Sequence, residues 1–214
     1  MATRVVTIAH TTGAEGDLVA LRVARLLGFR YMDEQLLDVV AAKHGIDADL
    51  VADAEQRRTF FSRLIDELQS APVSDRSKAS GSTETGNLAR RMELRAAIIE
   101  AIHETAALGD VVIVSHAAGI PLAARNDVLR VLVTASVGTR ARRLAEEKSL
   151  AVDEAERLVK ESDDGRADYI RRFYGIDREL STHYDLVVNT DRITPRRAAD
   201  FVVLAAGDES VDAS

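Results

Sequence analysis

Along this chain, short apolar runs alternate with longer amphipathic stretches. Val5–Ala9, Val111–Val114, Leu129–Ala135 and Leu186–Val188 are brief and rich in β-branched residues, the pattern of strands buried on both faces of a parallel sheet. Phe29–Met32 is a weaker candidate of the same kind. Between these runs the apolar positions recur at helical spacing. Leu18, Leu21, Val23, Ala24 and Leu27 line one face, and Gly28 supplies the stop. Leu36–Ala42, Leu88–Leu108, Thr139–Lys148, Val152–Ser162 and Pro195–Leu204 carry similar periodicity. Strands alternating with helices predict an α/β fold whose parallel strands are joined by right-handed crossovers. No internal repeat is visible.

Two segments depart from that rhythm. Ser70–Thr85, "SAPVSDRSKASGSTET", is polar, small and nearly devoid of apolar residues, which predicts a mobile loop. Asp47–Leu68 and Leu88–Leu108 flank it with helical patterns, so 47–108 is expected to form a helical lobe inserted between two strands. Ser149–Leu180 is densely charged and carries closely spaced arginines, as a solvated helical lid would. A length of 214 residues predicts one domain over 1–207, with 208–214 a frayed tail.

Composition narrows the classes. The net charge of −7 argues against a general nucleic-acid or membrane-surface binder, although local basic clusters can still serve phosphate groups. No run approaches 18 apolar residues and no signal-peptide pattern opens the chain, so a cytoplasmic protein is expected. The absence of cysteine excludes disulfides, thiolate zinc sites and cysteine nucleophiles.

Candidate chemistry begins at "VVTIAHTTGAEGDLVALRVARLLGF", where an apolar run passes through a glycine turn into an amphipathic segment. Such a turn is an anion site, because its N–H groups point outward and the helix dipole favours negative charge. The candidate phosphate turn is Thr12, Gly13, Ala14, Glu15, Gly16 and Asp17. A full phosphate-binding loop reads GxxxxGK[ST]. Gly16 stands where the lysine belongs and Leu18 where the hydroxyl belongs, while Glu15 and Asp17 add carboxylates. A tight strand-to-helix turn, with Asp17 as an N-cap or first-turn acid, explains the same residues. A dinucleotide-binding turn does not fit, for GxGxxG lacks its third glycine here.

The blocks "TGAEGDLVALRVARLLGFRYMDEQLL", "VVIVSHAAGIPLAARNDVLRVLVTASVGTRARRL", "DEAERLVKESDDGRADYIRRFYGID" and "HYDLVVNTDRI", in this order and spacing, resemble the cytidylate kinase-like family of P-loop nucleotide kinases. The resemblance covers about residues 3–50 and 108–206. It implies a three-layer α/β/α fold with a five-stranded parallel sheet, an inserted lobe on the monophosphate side and a lid over 149–180. Members often have GSGG followed by Arg-Glu and many lack the lysine, but Glu15 and Asp17 are unusual. Where the family commonly has Gly-Arg to grip the acceptor phosphate, this chain has Ser115-His116. His116 reads equally as a strand cap. Asp33 resembles an acidic position facing the acceptor and also fits an N-cap.

The family's lid pattern Asp-Arg-x-Arg-Ala-x-Tyr becomes Asp163-Asp164-Gly165-Arg166-Ala167-Asp168-Tyr169, which keeps Arg166 and loses one arginine to Asp164. The resemblance implies catalytic roles for Arg166 and Arg172, with a solvated-face reading open for Arg171 and Arg172. It places Arg140 and Arg143, at i and i+3, near the triphosphate, where a surface ion-pair role is equally plausible. Asn189, Thr190 and Asp191 follow the last strand on the ligand-binding edge, where polar loop residues are also common turn formers. The implied activity is ATP-dependent phosphoryl transfer, with Mg2+ and no protein metal ligand singled out, to a nucleoside monophosphate or related small acceptor. The other reading is an impaired P-loop fold serving as a nucleotide-binding or protein-interaction module. Nucleotides are the expected partners, with no nucleic acid and no membrane, and a homo-oligomer stays open.

Overall fold

The structure, a computed structural model, describes residues 2–33, 96, 99–115 and 117–207. The expected helices Leu36–Ala42 and Asp47–Leu68, the 70–85 loop, most of the 47–108 lobe, His116 and the 208–214 tail lie outside the described residues.

The described elements run β1 (Val5–His10), α1 (Gly16–Leu27), β2 (Arg30–Met32), α2 (99–107), β3 (Val111–Val114), β4 (Val128–Thr134), α3 (Val137–Lys148), α4 (Val152–Tyr174), β5 (Leu186–Asn189) and α5 (Pro195–Ala206), with a 3-10 turn at Ser181–His183 before β5. The strands form one sheet in the order β2-β3-β1-β4-β5, and every pairing is parallel. The central strand β1 sets Val5 opposite Val111 on one side and Val128 on the other.

Side chains alternate across the strands, so one register feeds two cores. Val6, Ile8, Val112, Val114, Val131 and Val133 face α1 and α5, whose Val19, Val23, Ala198 and Val202 complete the first cluster. Val5, Val111 and Ile113 face the opposite way, against Ala101, Ile102 and Ala106 of α2 and Leu122. Strands buried on both faces explain why their sequences are continuous apolar runs rather than alternating ones.

The helices begin and end where local chemistry says they should. Ser136 caps α3 by accepting from the Thr139 N–H, and Thr194 caps α5 in front of Pro195. Gly28 and Gly175 close α1 and α4 in the left-handed conformation. The largest departure from expectation is α4. It continues to Tyr174 rather than ending near Ser162, because Arg166, Tyr169, Ile170 and Phe173 extend the buried stripe begun by Ala155 and Val159. An interior Gly165 costs only about 1 kcal/mol against alanine, too little to break a helix packed on two sides. Its first half packs on Ala141, Leu144 and Ala145 of α3, and its second half on Ala117 beyond β3. The charged segment expected as a lid is therefore mostly one long helix lying on the body of the domain.

Ile8 is fully buried in the middle strand. Ile8→Ala is expected to cost about 2–5 kcal/mol and Ile8→Val about 0.5–1.5 kcal/mol, read as shifts of the urea unfolding midpoint. A change in the alanine variant no larger than in the valine one would contradict the central placement of this side chain.

Candidate phosphate site

All five strands point the same way, so His10, Asp33, Ser115, Ala135 and Thr190 gather at one edge of the sheet. Open α/β sheets bind ligands beyond the carboxyl ends of their strands. The turn between β1 and α1 leaves the middle strand at that edge. Gly13 has φ +80° and Glu15 φ +61°, both left-handed. In Glu15 that conformation costs an L-residue about 1–2 kcal/mol, which a glycine would avoid. The turn thus takes at Glu15 a conformation that glycine would hold without strain. The first N–H groups of α1 have no acceptor inside the helix and head this turn.

Gly13 is required for a second reason. A Cβ there would stand 2.7 Å from the Arg140 carbonyl oxygen, so the turn rests directly on α3. Gly16 is equally hemmed in: its Cβ would stand 2.2 Å from Cβ of His10. The residue directly after the lysine position is Asp17, so by the GxxxxGK[ST] pattern this carboxylate, rather than the half-exposed Leu18, occupies the hydroxyl's place. Asp17 Oδ1 lies 3.1 Å from His10 Nε2.

Three guanidinium groups converge on the carbonyls of this segment. Arg143 donates to the Gly13 oxygen, Arg140 to that of Thr12 and Arg166 to that of His10, each at 3.4 Å. Each is also paired with a carboxylate. Arg143 lies 3.3 Å from Glu15, which therefore turns sideways toward α3. Arg140 grips Asp163 through two hydrogen bonds of 2.8 and 2.6 Å, and Arg166 grips Glu179 through two of 3.0 and 2.7 Å. Thr12 and Ser162 hydroxyls meet at 2.6 Å, a further link from the turn to α4. Behind the turn, the buried Thr190 hydroxyl donates to the Ala14 carbonyl at 3.0 Å and accepts from Arg143 at 3.0 Å.

The electrostatics follow from burial and pairing. Burial alone would lower the Arg166 pKa, yet the Glu179 carboxylate outweighs it and the guanidinium is held above its ordinary value. Burial likewise pushes the Glu179 carboxyl up, but the hydrogen bonds and charge of Arg166 prevail and hold it below the usual carboxylate range. Tyr184, which hydrogen-bonds both partners, is pushed well above the ordinary phenol value, chiefly by burial. At the far side Asp191 accepts from the Ser136 N–H, and this, followed by the Thr139 and Ser136 hydroxyls, brings its carboxyl down to about 2.

The remaining expected residues lie further out. Asp33 is partly buried just after β2 on the same sheet edge. Asn189 closes β5, and its side chain accepts from the Asp191 N–H at 2.8 Å, a turn-forming contact. Arg172 is exposed and lies 3.8 Å from Asp168. The residues that sequence reasoning missed are His10, Ser162, Asp163, Glu179 and Tyr184. Asp163 and Glu179 sit in charged stretches without periodic signal, and only the fold brings them to arginines 23 and 13 residues away.

The turn's conformation fits a phosphate chain, since a left-handed residue aims successive N–H groups into a nest. The metal position is less complete: no hydroxyl stands at residue 17 or 18, and the described residues include no group of three or more His, Cys, Asp or Glu able to hold a metal ion. Mg2+ would fit as the counterion of ATP, held by phosphate oxygens and water. Among the described residues no helix is long and apolar enough to cross a membrane.

The model of the cytidylate kinase-like family matches residues 5–192. No curated protein matches the sequence. Among solved structures, an uncharacterized protein from Eubacterium ventriosum is 18% identical with a TM-score of 0.66, covering 95% of this chain and 98% of that one. Shikimate kinase from Bacteroides thetaiotaomicron is 14% identical with a TM-score of 0.52, covering 94% and 97%. Shikimate kinase from Acinetobacter baumannii in complex with shikimate is 12% identical with a TM-score of 0.50, covering 95% and 92%. At these identities the likeness is one of fold, and it is that of P-loop kinases.

Removing the Glu179 charge leaves Arg166 buried without its partner. Glu179→Gln is expected to destabilise the protein by about 1–3 kcal/mol near neutral pH in urea unfolding. A carboxyl held low in the folded state contributes stability above its unfolded value of about 4.3, and that contribution is lost as pH falls through the folded value. The gap between variant and wild type should therefore close in acid. A gap constant down to pH 2 would contradict the pairing.

Proposed function

The chain belongs to the cytidylate kinase-like family, and from that premise we propose that it binds the polyphosphate of ATP over the 12–17 turn and passes the γ-phosphoryl group to a nucleoside monophosphate or related small acceptor. The observation that carries this reading is the convergence of Arg140 and Arg143 on carbonyls of the turn, and of Arg166 on the His10 carbonyl just before it. Guanidinium forks that now grip carboxylates have the geometry to grip phosphates. The chemistry asks little else of the protein. An acceptor oxygen attacks the γ-phosphorus, the bond to the β–γ bridging oxygen breaks and ADP leaves, so catalysis is positioning and charge stabilisation.

In this reading the turn amides receive the phosphates, with Glu15 already directed away toward Arg143. Arg166 offsets the charge that develops on the transferring group, with Arg172 further along the same helix as the second lid arginine. Arg140, Arg143 and Asn189 attend the triphosphate side. Asp33 and His116 are assigned to the acceptor from the family resemblance alone. The magnesium ion supplies charge neutralisation when it arrives with ATP. The impaired-fold reading is favoured by one feature, the lack of any side chain at Gly16 where the lysine would reach the β/γ-phosphates.

Calorimetric titration with ATP and then ADP, each with Mg2+, separates these readings. Binding followed by transfer to one of the common nucleoside monophosphates, or to shikimate, the acceptor named for the two kinase relatives, is expected. Absence of binding at millimolar nucleotide would refute the proposal; binding without transfer to any acceptor would favour the module. Arg166→Lys keeps the charge but loses the fork, and should lower the transfer rate by up to ~10³-fold. Glu15→Gly removes a carboxylate beside the helix N-terminus and should tighten ATP binding roughly two- to fivefold.

A further inference from the structure

The side chain missing at residue 16 has been replaced in space by another. A Cβ on Gly16 would lie 2.2 Å from Cβ, 2.3 Å from Cγ and 2.8 Å from Cδ2 of His10. The imidazole therefore fills the volume through which a side chain at 16 would leave the helix. Within the pattern GxxxxGK, His10 stands at the first glycine, counted back from Gly16 as the lysine position. Both ends of the pattern have changed together, and the changes are sterically complementary: a ring where glycine belongs, and glycine where the long cation belongs.

Resting on the kinase reading above, we infer that His10 is the phosphate-binding cation of this loop, a histidine on the strand side in place of a lysine on the helix side. The ring is only partly buried, with 22% of its side chain exposed, and its Nε2 points to the first turn of α1. The charged groups set against it are Asp17 of α1, at 3.1 Å, and Arg166 of α4, which donates to the His10 carbonyl. Glu15, the other acid of the turn, is drawn off to Arg143. The Asp17 carboxylate thus stands beside the ring, within hydrogen-bond reach of Nε2.

The consequence differs from that of a lysine. A histidine side chain changes charge near neutrality, and a phosphate close by favours its protonated form. Binding then takes up a proton, and affinity rises as pH falls. An opposite charge within about 4–6 Å shifts an ionisation by roughly one unit or more, which corresponds to about tenfold in affinity.

The test is the dissociation constant of Mg·ATP at pH 6 and pH 8 for wild type, His10→Gln and His10→Ala, with melting temperatures as a check on folding. Because the terminal phosphate itself titrates in this range, only the difference between proteins is read. Wild-type binding should tighten about tenfold more than that of either variant. Equal pH dependence in all three would overturn the inference while leaving the kinase reading intact; binding by none of them overturns both. A reciprocal pair provides a second readout. Gly16→Lys alone should lower the melting temperature by colliding with the ring, whereas His10→Gly with Gly16→Lys should fold and bind ATP with the variants' flatter pH profile. If the single Gly16→Lys protein is as stable as wild type, the ring does not fill that space and the inference fails.

Discussion

Arg140 is the residue on which the geometry around the turn depends. Only 4% of it is exposed, yet its guanidinium reaches three parts of the chain. Nε donates to the Ala135 carbonyl at the end of β4, one terminal nitrogen to Thr12 in the turn, and both terminal nitrogens to Asp163 on α4. A buried cation is tolerable only when such partners are all in place, because removing one leaves an uncompensated charge. Its own carbonyl presses on Gly13 so closely that no side chain fits there. The end of β4, the 12–17 turn and α4 are thereby held in one arrangement. Among the described residues Arg22 Nε is the one buried side-chain N or O atom without a hydrogen-bond partner, so this polar cluster is closed.

The three guanidinium–carboxylate pairs around the turn are not equivalent. Arg140 and Arg166 are nearly buried and are held by paired hydrogen bonds, so their carboxylates are costly to displace. Arg143 and Glu15 are each about a quarter to a third exposed and lie 3.3 Å apart, a pairing that water and salt screen. In the proposed reading an incoming phosphate exchanges most readily with Glu15. Arg143 is then the first of the triphosphate-side arginines to change partner. The acid that looks like an obstacle in the sequence is thus the counter-ion held most loosely, and its left-handed backbone places it beside that arginine.

The inner strands β1 and β3 were legible because they are buried on both faces and read as short apolar runs, whereas the edge strands β2 and β5 are only partly buried; all five ends shifted by only one residue or so. The cation-bearing helix α3 was equally legible, and Arg140 and Arg143 do share the face that meets the turn. The second half of α4 was not, since its stripe passes through Arg166, a charged residue occupying a core position. Nor were Asp163 and Glu179 as site neighbours: their partners are fixed by tertiary placement. Periodicity reports which face is buried and is silent about which carboxylate a buried arginine finds.

The loss of a motif residue has a different meaning when its space has been taken. Had Gly16 merely replaced a lysine, a hollow would remain beside the turn, and a void lined by the start of a helix forfeits contacts. Instead His10 packs into that volume and pairs with Asp17, so three positions that each break the sequence pattern form one contact set. Mutual accommodation of this kind is what a packed structure requires of any large-to-small exchange, since interiors are close-packed and neighbouring substitutions do not act independently. Reverting any one of the three alone is for that reason a poor guide to what the loop can bind. The unit to be judged is His10, Gly16 and Asp17 together, and as a unit it sets an imidazole, a helix N-terminus and a carboxylate side by side at the carboxyl edge of the central strand.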